Sequence, residues 1–283
     1  MTRSRKAAVA IACALATHPA ASRSGQLPLD AAHESGQGVT AAYEGWFKNA
    51  DGTFSLLVGY FNRNTKETLD VPIGPDNRID PGGPDRGQPT HFLTRRQWGV
   101  FTIAVPADFG DRKLTWTLTA HSKTTTIPMG LNPLYEISPY KDPAQGNTPP
   151  VLKFSPQGRA FQGPPRDTAA TFSTVVSQPL VLTLWATDDA IVDPDRRAGE
   201  TPVTIAWSQF RGPGPVTFDN AKPKVGKTDG RAVATATFSV SGDYMLRANI
   251  DGTSKVATAS LARWPRNDKR DVIGTGALDR RVS

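Results

Sequence analysis

The sequence predicts an all-β protein made of two antiparallel β-sandwich domains, the second immunoglobulin-like, joined by a Pro-rich connector. Three observations carry that prediction. Short apolar and polar residues alternate with a period of two, turn chemistry such as Asp51-Gly52 and Ser241-Gly242-Asp243 punctuates the runs, and one proline-dense stretch between Pro139 and Pro165 divides the pattern in half.

The chain begins with Arg3, Arg5 and Lys6 ahead of an Ala-rich run, Ala7 to Ala16, which is the layout of a signal peptide over residues 1–22. Cys13, the only cysteine, lies inside that run. Cleavage after it would leave no thiol, and so no disulfide, thiolate nucleophile or Cys-ligated metal. The rival reading takes Ala10-Ile11-Ala12-Cys13 as a degenerate lipobox, with a lipoprotein signal ending before Cys13 and a lipid anchor on that cysteine. Both readings export the protein, to the periplasm or the cell exterior. Residues 23–38 are polar and small, a flexible leader.

The formal charge of +7 falls to +4 without the three basic residues of the signal. The remaining Lys and Arg are scattered, with no basic stripe interleaved with aromatics, which argues against a nucleic-acid partner. No later stretch approaches the roughly 20 apolar residues of a transmembrane helix, so none is expected in the mature chain.

The N-terminal β-sandwich is expected over 39–138. Tyr43 to Phe47 and Phe54 to Phe61 read as a hairpin about Asn49-Ala50-Asp51-Gly52. In the second run Phe54, Leu56, Val58 and Tyr60 share one face while Leu57 and Phe61 lie on the other, the pattern of a central strand covered on both sides. Trp98 to Val105 is apolar at nearly every position. Leu114, Trp116, Leu118 and Ala120 alternate with Lys113, Thr115, Thr117 and Thr119, as expected for a sheet packed on one face. Lys123 to Pro128 should pair with it. The connector spans 139–168, and Val151 to Phe154 reads as the first edge strand of the next domain.

That domain, 169–264, shows the alternation again in Leu180 to Leu184, Val203 to Trp207, Val233 to Val240, Tyr244 to Ile250 and Lys255 to Arg263; residues 265–283 read as a disordered tail. The order A-T-D-D (Ala186 to Asp189), V-T-I-A-W-S (Val203 to Ser208), G-P-G-P-V-T-F (Gly212 to Phe218), A-T-F (Ala236 to Phe238) and S-G-D-Y-M-L-R-A (Ser241 to Ala248) resembles a polycystic-kidney-disease-type immunoglobulin-like repeat of secreted and surface proteins. The resemblance covers about a third of the chain and implies a fold, together with spacer, adhesive or binding roles. A long insertion between Asp189 and Val203 departs from the pattern. The first domain, with Y-E-G-W-F-K-N-A-D-G-T-F and P-G-G-P-D-R-G-Q-P-T-H-F, resembles the N-terminal part of secreted bacterial proteins and brings no activity with it.

Several motifs fail on inspection. Ala221 to Thr228 satisfies a relaxed phosphate-loop pattern, but Pro223 intrudes and the downstream run is β rather than helical. His33-Glu34 lacks a second histidine, since position 37 is Gln37, and no G-x-S-x-G elbow occurs. No catalytic residue and no cofactor are assigned, calcium excepted. Asp188, Asp189, Asp193 and Asp195 place four carboxylates within eight residues, a weak calcium candidate that competes with a solvated turn.

Trp116 and Trp207 fall on core faces, whereas Trp46 and Trp185 have the opposite parity and are the candidates for stacking on sugars. The longest break in the first domain, Val71 to Arg96, is the candidate interaction site. Arg78, Arg86, Arg95 and Arg96 would act as bidentate donors, Asp76, Asp80 and Asp85 as acceptors, and His91 sits at its end. The competing reading is an Ω-like loop closed on itself by internal Arg–Asp pairs. The expected function is a non-catalytic, exported binding or structural module making protein–protein contacts at the cell envelope, as an accessory subunit of an envelope complex. A carbohydrate-binding module and a glycan-active hydrolase with Asp or Glu as acid and base are the alternatives.

Overall fold

The computed structural model describes residues 33–141, 146–188, 203–251 and 256–265. The protein is all-β, and the one helical element among the described residues is the 3-10 turn Pro133–Tyr135. The signal-peptide region, including Cys13, and the tail beyond Pro265 lie outside the described residues, as do Asp189, Asp193 and Asp195.

The first lobe contains β1 (Val39–Lys48), β2 (Phe54–Asn62), β3 (Leu69–Asp70), β4 (Asn77–Asp80), β5 (His91–Phe92), β6 (Arg95–Val105), β7 (Leu114–Ala120) and β8 (Lys123–Met129). Two antiparallel sheets, β1-β2-β6 and β4-β7-β8, enclose one core, and the small ribbon β3-β5 closes one side. The alternation sets which side chains face inward: Leu56, Val58 and Tyr60 of β2 and Leu114, Trp116 and Leu118 of β7 are all buried. Trp116 lies edge-on to Phe101 at 5.3 Å and donates from Nε1 to Asn77 Oδ1. The outer face of β2 is less covered than its sequence suggests, with Phe61 41% exposed.

The second lobe follows with β9 (Val151–Lys153), β10 (Phe161–Gln162), β11 (Thr168–Thr174), β12 (Leu180–Thr187), β13 (Thr204–Arg211), β14 (Val216–Phe218), β15 (Arg231–Phe238), β16 (Tyr244–Asp251) and β17 (Val256–Pro265). One sheet has the order β10-β9-β12-β15-β14 and the other β11-β17-β16-β13, with β11 parallel to β17. Two immunoglobulin features appear in their expected places. Trp207 is buried on β13, the third main strand, and Tyr244 at the start of β16 donates its hydroxyl to Val240 O, 3.1 Å away, as a tyrosine corner does. Two residues past that tyrosine, where antibody domains carry a cysteine, stands the buried Leu246.

Two segments differ from the sequence expectation. Residues 33–38, the end of the expected leader, are tied down: Gln37 N donates to Asn64 Oδ1 at 2.7 Å and Gly36 N to Glu67 Oε2 at 2.6 Å. The proline-rich stretch is more than a connector, because its proline-free stretches Val151–Lys153 and Phe161–Gln162 pair as β9 and β10 in the second lobe's sheet. It makes β9 an interior strand, with β10 at the edge.

The lobes are joined side to side rather than only end to end. A register shift at Gln209/Arg211 turns Phe210 out of its own sandwich and into the core of the first lobe. Thr90 N then donates to Phe210 O at 3.1 Å.

Candidate interaction surface at the double bulge

Two irregularities face each other across β2. On one side the register with β1 slips between Tyr43 and Gly45; on the other, the register with β6 slips between Val58 and Tyr60. The first bulge leaves Glu44 without a cross-strand partner, and the second leaves Trp98, Gly99 and Val100 to bow past Gly59. Gly99 takes φ +55°, a conformation that favours glycine.

Glu44 locks the two bulges together. Its Oε1 accepts from Arg96 Nη2 at 2.7 Å and its Oε2 from Gly99 N at 2.7 Å, while Arg96 Nη1 donates to the carbonyls of Tyr60 and Gln97. This network crosses directly over Gly59, where a Cβ would sit 2.1 Å from Glu44 Oε1 and 2.4 Å from Gln97 O. A glycine is required there for space. Burial pushes the Glu44 carboxyl above its ordinary value, opposed by the Gly99 amide and the Arg96 charge.

The consequence is Trp98. Thrown outward by the bulge, it is 69% exposed, the most exposed of the described tryptophan side chains, and Arg96 lies over its ring at 3.7 Å from the centroid. The stacked guanidinium is itself held by three further hydrogen-bond acceptors. The indole is therefore presented in a fixed pose at the mouth of the crevice between the lobes, beside His91 and Gln97.

The residues singled out in the Val71 to Arg96 loop fall into two groups. Most make contacts within the chain. Arg78 pairs with Asp80 at 3.0 Å, Arg86 donates to Pro81 O at 2.7 Å, and His91 Nδ1 lies 2.8 Å from Asp70 Oδ1. Asp85 receives both Nη groups of Arg211, at 3.0 and 2.8 Å, and Arg211 Nε reaches Gln88 O. Burial would raise the Asp85 carboxyl, but the hydrogen bonds from Arg211 and Gly87 outweigh it and hold it below the usual value. Buried Asn77 and Gln88 brace the loop from within. Asp76 and Arg95 are exposed, the latter at φ +65°. Of the eight residues, Arg96 alone belongs to the double bulge.

The tryptophan assignments are redistributed. Trp46 is 9% exposed and donates from Nε1 to Asn132 O at 2.7 Å, so no ring face is open to a sugar. The reason is the bulge at Glu44, which reverses the inside-outside parity and puts Trp46 on the same face as Leu56. Trp185 is half-buried on the outer face of β12, opposite Arg231 on β15 and Lys153 on β9. Of the calcium candidates only Asp188 is among the described residues, and no group of three His, Cys, Asp or Glu among those residues could hold a metal. The stretch Ala221 to Thr228 is a loop closed by Gly226 N on Arg231 O, without the helix a phosphate loop needs.

No protein-family model matches the chain, and no curated protein sequence does. Solved structures that superpose on it include the D0-D1 domain of intimin, at 11% identity and a TM-score of 0.25 over 80% of this chain and 97% of that one. Domains 4 and 5 of the S-layer protein SbsC follow at 11% and 0.23, covering 81% and 98%. Tandem immunoglobulin domains of titin give 11% and 0.22, covering 81% and 98%. At such TM-scores these likenesses carry no argument about function; the fold rests on the chain's own sheets. No helix among the described residues is long and apolar enough to cross a membrane.

Sequence reasoning found Arg96 but missed Glu44, Gly59 and Trp98. The signal was present as glycines inside strand patterns, Val58-Gly59-Tyr60 and Trp98-Gly99-Val100, which mark bulges.

Proposed function

We propose that this chain is an exported, non-catalytic binding module that makes protein–protein contacts at the cell envelope as an accessory subunit, with Trp98 at the centre of the contact. One observation carries the reading: a tryptophan left largely in solvent while a hydrogen-bonded arginine fixes its ring. Tryptophan and arginine dominate interface energetics, and an anchor ordered before binding costs little entropy on association. The loop 71–96 then serves as the scaffold that seats this anchor next to the second lobe. Its charges act mainly within the chain.

The alternative is a carbohydrate-binding module. It is supported by the same geometry, because Arg96 covers one face of the Trp98 ring and the other could stack on a sugar. The test is capture from a native envelope fraction with wild type and Trp98→Ala. A stoichiometric protein retained by wild type and lost by a variant of unchanged melting temperature supports the proposal. Equal retention by both chains, or retention on polysaccharide alone, overturns it.

A further inference from the structure

Residues of β13 and β16 that point away from their own core meet the first lobe, and one of them is an arginine. Leu246 and Ala248 face the second lobe's core, so Arg247 between them faces the other way, toward Tyr60 and Phe210. It is only 5% exposed. Its guanidinium lies over the Phe210 ring at 4.0 Å, and its Nε has no hydrogen-bond partner among the described residues. Burial drives its pKa down to about 9, which still leaves it cationic at neutral pH.

A buried cation is costly unless a negative charge lies beside it, and the stacking on Phe210 offsets only part of that cost. Beside Arg247 runs a crevice of about 20 Å³, roofed by the first lobe and floored by β13 and β16. Among the described residues no Asp or Glu lines it. The carboxylate near its rim, Asp70, is bound to Nδ1 of the lining residue His91 and its side chain is 67% exposed. A second donor converges on the same space. The Tyr60 hydroxyl oxygen accepts from Leu93 N at 2.8 Å, which leaves its hydrogen to donate, and burial holds that phenol neutral by raising its pKa.

We propose that the crevice between the lobes is a binding site for one small monovalent anion, chloride under ordinary conditions, held by the charge of Arg247 and by Tyr60, which both line it. The volume is little more than a single water requires, which suits a monatomic ion. Water could fill the space but could not balance the charge. Because the walls come from both lobes, the ion stabilises their joint: occupancy raises stability with chloride concentration and saturates.

The experiment is thermal unfolding of the full chain in sodium chloride against sodium gluconate at matched ionic strength, paired with crystals grown in bromide. Wild type is expected to gain several degrees in chloride with a saturating dependence, and bromide to give an anomalous peak beside Arg247. Arg247→Met, apolar and of similar reach, is expected to lose the chloride-specific gain while melting at least as high as wild type does in gluconate. Equal melting of wild type in both salts, an equal chloride gain in Arg247→Met, or a crevice peak without anomalous signal, meaning water only, would each overturn the site. Should Arg247→Met not fold, the wild-type salt comparison and the bromide peak decide the matter alone.

Discussion

Gly59→Ala is the sharpest probe of the double bulge. The added methyl would meet Glu44 Oε1 at 2.1 Å, Gln97 O at 2.4 Å and Arg96 Nη1 at 2.8 Å. One of these is backbone, so the strain cannot be relieved by a side chain swinging away. Overpacking of this kind costs about 1–3 kcal/mol. Displacing Glu44 from Arg96 adds about 1–3 kcal/mol, since the Glu44 side chain is 9% exposed and would be left unpaired. Alanine's restriction of the unfolded chain returns about 0.4–1 kcal/mol. The net expectation is a loss of about 2–4 kcal/mol. With a urea dependence of about 2 kcal/mol per molar, the unfolding midpoint followed by tryptophan fluorescence should fall by about 1–2 M. Adding Glu44→Ala should make the pair less damaging than the sum of the singles, because the closest contact is gone, though the Gln97 carbonyl keeps the rescue partial. A Gly59→Ala unfolding free energy within about 0.5 kcal/mol of wild type would refute the reasoning.

Two further outcomes follow from the same structure. Asp85 has a folded-state pKa below its ordinary value of 3.8, so its bond to Arg211 stabilises the fold above that pH and is lost as pH falls through the folded value. Asp85→Asn should therefore melt below wild type at neutral pH and converge on it in strong acid, modestly, because the Asp85 side chain is 51% exposed; a gap that is constant with pH would count against the assignment. Tyr244→Phe removes the hydroxyl that donates to Val240 O and should cost about 1 kcal/mol in chemical denaturation, with no change in the spectrum of the folded state.

What the sequence disclosed depended on how regular the backbone is. The runs at Leu114 to Ala120 and Val203 to Trp207 are unbroken, and period-two parity placed Trp116 and Trp207 correctly in the cores. Parity failed at Trp46 because one extra residue at Glu44 inverts every later side chain on β1. For the same reason the exposure of Trp98 was hidden inside what reads as an apolar strand. The loop from Val71 to Arg96 showed its charges in the sequence but not their destinations, because Arg211, the partner of Asp85, lies 126 residues away. No local pattern encodes a pairing of that range. Arg247 was likewise invisible: its alternation with Leu246 and Ala248 is that of a solvent-facing residue, and only the packing of the other lobe buries it.

The joint between the lobes also sets an order of events. Phe210, Thr90, Arg211 and Asp85 meet across more than a hundred residues of chain, so during synthesis the first lobe emerges long before its lid does. Until β13 arrives, its core lacks Phe210, and the amide of Thr90 and the carboxylate of Asp85 are left to water. The core of the first lobe is thus complete only once the second lobe has packed against it.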